Sequence, residues 1–363
     1  MKQIFFLISF LFFATQIFSQ VTQYTVTGKV IDKNSKLPLQ GASVFAQNTT
    51  FGVATDAEGN FKLRLPNGGY ELVVTFTGYE TESQRISNAY DDKNLLIEVR
   101  PIEKSLQEVS VVFSNEVKDG WQKYGDFFIE NFIGKSAFSQ QASIKNPEVL
   151  KFYFSKKRNR LKVLASEPLV VENAALGYNI KFAIDSFTYE YDNNAAQFIG
   201  YPLFEEMRGT AEKGVAWQQN RMKAYQGSLL HFMRSLYNKN LSNEGFEVQF
   251  LVKNNNEERT VPLKNPYIAL NYTKDDSTNT IEFRPNQPDM IVIYTKAKPE
   301  QAYLNFDPKA KKDFQVSTVS IAKNASIIIE ENGYFFEQAD VTTNGYWGFE
   351  KIGDMLPYDY KPQ

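Results

Sequence analysis

Between Val26 and Thr81 short strands alternate with turn residues so regularly that a small all-β module is the fold this stretch dictates. At its centre lies Thr55-Asp56-Ala57-Glu58-Gly59-Asn60-Phe61. Asp bonds its own backbone in such a turn, and Gly accepts the positive φ that closes it. Around this hairpin the alternation predicts strands over residues 24–30, 41–46, 52–55, 60–65, 70–76, 80–86 and 95–99. About seven short strands with regular turn signals make a β-sandwich. Asp56-x-Glu58-Gly59 also begins like a calcium loop, but the twelfth position from Asp56 is Asn67 instead of the closing Glu. A structural turn is therefore the reading.

The same residues carry a resemblance. Val26-x-Gly28-x-Val30, Leu39-x-Gly41-Ala42-x-Val44, Thr55-Asp56-x-x-Gly59-x-Phe61 and Gly69-Tyr70-x-Leu72-x-Val74, followed by Gly78-Tyr79, resemble the carboxypeptidase regulatory-like domain. That family is a transthyretin-like sandwich frequent in envelope proteins of Bacteroidetes. The resemblance implies an accessory β-module over residues 21–112, not a peptidase. Such modules often precede TonB-dependent outer-membrane receptors, in which a Glu-Val-Val-rich strand leads onward, as Leu106-Gln107-Glu108-Val109-Ser110-Val111-Val112 does here. The remaining residues, 113–363, lack the long series of amphipathic strand pairs that a large barrel requires.

This second region reads as a larger α+β domain, so the chain as a whole is mainly β. Trp121, Tyr124, Phe128 and Phe132 fall on one face of a helix that begins near Gly120. Strands are expected over 149–155, 160–165, 169–172, 178–191 and 197–203, forming an antiparallel sheet. Residues 210–241 predict a helical pair, broken at Gly227 and restarted by Ser228 as an N-cap. Further strands are expected over 247–252, 281–283, 290–295, 318–322, 327–330 and 334–336, with solvated loops at 254–259 and 274–279. Arg221-x-x-x-Tyr225-x-Gly227-Ser228-x-x-His231-Phe232-x-Arg234, Glu244-Gly245-Phe246 and the Leu356-Pro357-Tyr358-Asp359-Tyr360 tail resemble a group of Bacteroidetes envelope proteins carrying the same N-terminal module. That resemblance brings no activity with it.

Lys2 followed by the apolar run Ile4–Phe13 and by Ala14-Thr15-Gln16-Ile17-Phe18-Ser19 reads as a secretory signal peptide over 1–19. The run is shorter than the roughly 20 residues that span a bilayer core, and no later stretch is apolar enough to cross. The expected location is the periplasm or the outer membrane's surface. The chain contains no cysteine, which excludes disulfides and a lipid on a mature N-terminal cysteine. Its formal net charge of −2 provides no electrostatic reason to bind nucleic acid.

The chemistry open to the chain is narrow. One histidine, His231, and no cysteine cannot build a zinc carboxypeptidase site, which needs two histidines on the metal. A Ser-His-Asp site would have to use His231, and no nucleophile elbow accompanies it. No phosphate-binding glycine loop opens a helix, so no cofactor is expected. Glu205-Glu206 is the carboxylate pair a glycoside hydrolase would need, although chain neighbours usually point apart. The helical unit supplies an interaction surface of Trp217, Arg221, Tyr225, His231 and Arg234, residue types that dominate interfaces and stack on sugars. The competing reading packs the aromatics between helix and sheet and pairs the arginines with local carboxylates. Three functions remain, in this order. The first is a non-catalytic envelope accessory protein that binds another envelope or outer-membrane protein. The second is a glycan- or peptide-binding protein, and the third a carboxylate-dependent hydrolase.

Overall fold

In the computed structural model, which describes residues 23–88, 94–102, 115–254, 257–336 and 338–362, the central hairpin closes as its residues dictate. Asp56 Oδ1 accepts from the backbone N–H of Asn60 at 2.7 Å and of Glu58 at 3.1 Å. Gly59 sits at φ +78°, and a Cβ there would lie 2.6 Å from the Val30 carbonyl oxygen. Only glycine meets both conditions.

The strands around it are β1 (Gln23–Asp32), β2 (Ser43–Ala46), β3 (Gly52–Ala54), β4 (Asn60–Pro66), β5 (Gly69–Thr75), β6 (Glu82–Ser87) and β7 (Leu95–Val99). They form two sheets, ordered β4-β1-β7 and β3-β2-β5-β6, with β1 and β7 parallel and the other pairs antiparallel. β4 shows why they face each other. Phe61, Leu63 and Leu65 are buried while Asn60, Lys62 and Arg64 are exposed. The buried row meets Val26, Val30, Val44, Leu72 and Val74 in one core. Each such side chain contributes about 1.5–3 kcal/mol by leaving water. The seven-stranded sandwich is present as the alternation predicts.

Next come α1 (Gly120–Phe132), β8 (Ala142–Ile144), β9 (Leu150–Ser155), β10 (Arg160–Ala165), β11 (Leu169–Asn173), β12 (Tyr178–Glu190) and β13 (Ala195–Glu206). β12 is the spine of a six-stranded antiparallel sheet. One side takes β11 along its first half and β10 along its second, and the other side takes β13. The aromatic face of α1 lies against this sheet, with Phe128 and Phe132 fully buried and Trp121 and Tyr124 partly so.

A second core lies beyond. The elements of this part of the chain are α2 (Ala211–Tyr225), which buries Ala224 and Tyr225 in the core of the six-stranded sheet, then α3 (Leu229–Tyr237), α4 (Leu241–Glu244), β14 (Phe246–Asn254), β15 (Glu257–Pro262), α5 (Pro266–Ala269), β16 (Thr273–Asp275), β17 (Thr280–Phe283), β18 (Asp289–Tyr294), α6 (Gln301–Phe306), β19 (Gln315–Ile321), β20 (Ile327–Glu330), β21 (Val341–Gly345) and α7 (Tyr346–Phe349). A five-stranded sheet, β15-β14-β18-β19-β21, and a three-stranded sheet, β16-β17-β20, enclose Phe232, Met233 and Leu236 of α3 together with Trp347.

Three local expectations differ. Lys274 and Asp275, expected in the loop over 274–279, pair with Ile281 and Thr280 in β16, an edge strand whose residues are all exposed and so show no apolar alternation. Glu257–Arg259, expected in a loop, belong to β15; every residue of that edge strand is exposed, so it carries no hydrophobic alternation to read. Tyr334–Phe336, expected as a strand, makes only an isolated bridge between Ile329 and Phe335. Tyr334 and Phe336 meet edge to face at 4.8 Å, and Arg85 stacks on Phe336 at 3.8 Å, so tertiary packing fixes that segment. The leader expected over 1–19, the strand over 106–112 and the boundary at 112–113 lie outside the described residues.

Candidate functional site

The break at Gly227-Ser228 organises the helical unit. Ser228 caps α3 by accepting from His231 N at 3.1 Å and donates to the Tyr225 carbonyl at 2.8 Å. Gly227, at φ +84°, turns its N–H to His231 Nδ1 at 3.1 Å and its carbonyl to Trp347 Nε1 at 2.6 Å. Because Nδ1 accepts, the proton sits on Nε2, which donates to Glu244 Oε2 at 3.3 Å. Burial, outweighing the Glu244 carboxylate, holds the imidazole below its ordinary range. The histidine therefore pins α2, α3 and α4 together, with both ring nitrogens occupied.

The five residues singled out from the sequence divide by burial. Trp217, Arg221, Tyr225 and His231 are each at most 9 % exposed, and Arg234 is half-buried. Trp217 Nε1 donates to the Ala174 carbonyl at 2.9 Å. Arg221 lies 3.9 Å over the Tyr178 ring and donates to the carbonyls of Leu176 at 2.8 Å and Gly177 at 3.2 Å, and to Glu206 at 2.8 Å. Arg234 donates to the carbonyls of Asn332 at 2.9 Å and Tyr358 at 3.0 Å, and among the described residues it bonds no carboxylate. Most of this set is the glue between helix and sheet.

An open cleft of about 830 Å³ runs past the exposed side of α2. Thr50 of the N-terminal sandwich, Tyr178 and Glu206 of the six-stranded sheet, Gln218 of α2, and Asp359 and Tyr360 of the C-terminal tail all line it. The tail is tied to the β2–β3 loop by hydrogen bonds. Tyr358 N donates to the Asn48 carbonyl at 2.7 Å, Thr50 N donates to Asp359 Oδ1 at 2.9 Å, and the Thr50 hydroxyl donates to Asp359 Oδ2. On its other flank the same β2–β3 loop pairs with β13. Asn48 N donates to the Pro202 carbonyl at 2.7 Å and Phe204 N to the Thr49 carbonyl at 2.9 Å. The Leu-Pro-Tyr-Asp-Tyr tail stands out in the sequence, but its partners Asn48 and Thr50 carry no motif that marks them.

The acidic pair Glu205-Glu206 is split across the sheet. Lys181 holds Glu205 at 2.6 Å and Arg221 holds Glu206 at 2.8 Å. A second acidic group, absent from the sequence reading, gathers Glu300, Glu350 and Asp354. Burial raises all three carboxyls, with Asp354 pushed up to about 7. Asp354 accepts from Lys351 N and Ser139 Oγ, each at 3.3 Å, and thereby caps the last short turn. Among the described residues no group of three or more His, Cys, Asp or Glu side chains is placed to hold a metal ion.

Residues 26–111 match the family model of the CarboxypepD_reg-like domain, so the N-terminal sandwich is a domain of that kind. Over 103 residues the chain is 35 % identical to the TonB-dependent receptor SusC of Bacteroides thetaiotaomicron. That alignment takes in 27 % of this chain and 10 % of the receptor, so the match spans about a tenth of the relative's length. Among solved structures, a DUF3823 family protein from Parabacteroides merdae aligns over 54 % of this chain and 87 % of its own at 13 % identity, with a TM-score of 0.19. A type II cohesin–X-dockerin complex from Acetivibrio cellulolyticus aligns at 24 % identity over 21 % of this chain and 57 % of that one, also with a TM-score of 0.19. No helix among the described residues is long and apolar enough to cross a membrane.

Proposed function

We propose that the chain is a non-catalytic accessory protein of the cell envelope that works by holding another envelope or outer-membrane protein. The observation that carries this reading is the CarboxypepD_reg-like domain at 26–111, together with the chain's 35 % identity over 103 residues to part of a TonB-dependent receptor. The leader-like segment over 1–19 supports export to the periplasm or the outer membrane's surface. Arg221 and His231 are occupied by internal bonds, so the reading assigns them to holding the helical unit together and not to the surface that meets the partner. The test is crosslinking in intact cells, followed by affinity recovery of the tagged full-length chain and mass spectrometry. Specific recovery of an integral envelope protein is the expected result; recovery of the chain alone would sink the reading.

A second reading, a glycan- or peptide-binding protein, is favoured by the cleft beside α2, where Tyr360 offers an aromatic surface next to Gln218 and Asp359. Calorimetry with oligosaccharide panels, repeated on Tyr360→Ala, decides it. Trp217 is too buried to serve as the stacking platform. A hydrolase built on Glu205 and Glu206 ranks third, because separate cations hold the two carboxylates.

A further inference from the structure

The longest strand pair among the described residues leaves one edge open, and its hydrogen-bonding direction follows from the structure. Phe204 N and the Pro202 carbonyl face away from β12, because both bond the Asn48–Thr49 loop. The β13 register runs without an extra residue from Glu206 to Ala195, its single irregularity being on β12 between Ile184 and Ser186. Alternation along an antiparallel strand then points the backbone groups of Gly200, Phe198 and Ala196 to the same outer side. Among the described residues no other strand pairs with β13, and those three N–H groups have no other backbone partner.

Such an edge is normally guarded by charge, proline or shortness. Here Ala195-Ala196-Gln197-Phe198-Ile199-Gly200 contains neither charge nor proline, and Ile199 is 51 % exposed. The contrast lies in β15, another edge strand, which carries Glu257, Glu258, Arg259 and Pro262. The open stretch also continues a line that already accepts a strand-like guest, since Thr49 pairs in parallel with Leu203.

We propose that the β13 edge from Ala195 to Gly200 docks one extended segment of a partner protein as an additional strand. The segment is uncharged and has apolar side chains at alternate positions, one row of which covers Ile199. A second copy of this chain fits less well. So short an edge buries far less than the roughly 1,200 Å² that a stable protein pair needs, whereas a single extended segment requires no more than the ladder and one apolar row. This inference rests on the reading of the chain as an interaction protein and specifies the chemistry of what it holds.

The test is amide hydrogen exchange on the full chain with a synthetic Thr-Val-Thr-Val-Thr-Val peptide as probe. A peptide of the same composition with N-methylated central amides serves as control. The expected result is exchange at Ala196, Phe198 and Gly200 slowed about fivefold or more by the probe and unchanged by the control. Ile199→Lys, on an exposed position, should abolish the effect with an unaltered melting curve. Unchanged exchange, equal slowing by the control, or a concentration-dependent dimer lost in Ile199→Lys would each overturn the proposal. If Ile199→Lys still crosslinks its envelope partner in cells, the edge assignment fails while the accessory reading stands.

Discussion

Replacing Arg221 by Met isolates what the buried guanidinium does. Met keeps the apolar stem against Tyr178 but removes every donor. The Leu176 carbonyl loses its bond from Nε at 2.8 Å, and the residues around it, Ala175 and Leu176, are at most 1 % exposed, so water does not replace the donor. An orphaned buried acceptor costs about 1–3 kcal/mol. Gly177 suffers less, because its carbonyl also accepts from Met207 N at 2.9 Å. Loss of the cation from the Tyr178 face adds roughly 0.5–2 kcal/mol. The ion pair itself counts for little, since the Glu206 side chain is 62 % exposed. Arg221→Met should therefore lower stability by about 2–4 kcal/mol, while Glu206→Gln lowers it by less than about 1 kcal/mol. Urea unfolding at neutral pH, followed by tryptophan fluorescence, measures both. A loss below about 1 kcal/mol for Arg221→Met, or equal losses for the two variants, would refute the assignment of Arg221 as a carbonyl clamp.

Other perturbations probe the remaining joints. Asp354 binds its proton more tightly in the folded chain, near 7 against 3.8 for a free carboxyl, so its contribution is full below about pH 4 and lost as pH rises towards 7. A shift of that size corresponds to at most roughly 4 kcal/mol. Asp354→Asn should raise the melting temperature at pH 8 and leave it nearly unchanged at pH 4; parallel curves for the two proteins would contradict this. A Cβ on Gly69 would fall 2.1 Å from Glu330 Oε1, so Gly69→Ala should displace the Arg85–Glu330 bridge and cost about 1–3 kcal/mol in the same urea assay. Asp359→Ala removes both anchors on Thr50 and should expose the tail to limited proteolysis, with cleavage after Tyr358 or Tyr360 appearing earlier than in the unaltered chain.

The contrast between what was and was not legible follows interaction range. The sandwich could be read because its strands alternate strictly, as Phe61, Leu63 and Leu65 do between exposed neighbours, and because its turns need Gly59 and Asp56. The α2–α3 break was legible for the same reason, with Gly227 and Ser228 acting on residues only three or four positions away. β15 was not, since an edge strand bonded on one side needs no apolar row. The candidate surface shows the limit most clearly. Helical spacing brings Trp217, Arg221 and Tyr225 together, but whether that face meets water depends on carbonyls at Ala174, Leu176 and Gly177, more than forty positions earlier. The seam between Thr50 and Asp359 joins residues 309 positions apart, and neither announces its partner.

The proposed role, holding another envelope protein, has a direct physical signature. Native electrophoresis of gently solubilised envelopes, probed for the tagged full-length chain, tests it most directly. The chain should migrate in a complex well above the 41.6 kDa of its full sequence, together with an integral envelope protein. Migration as a free monomer in both soluble and membrane fractions would contradict it.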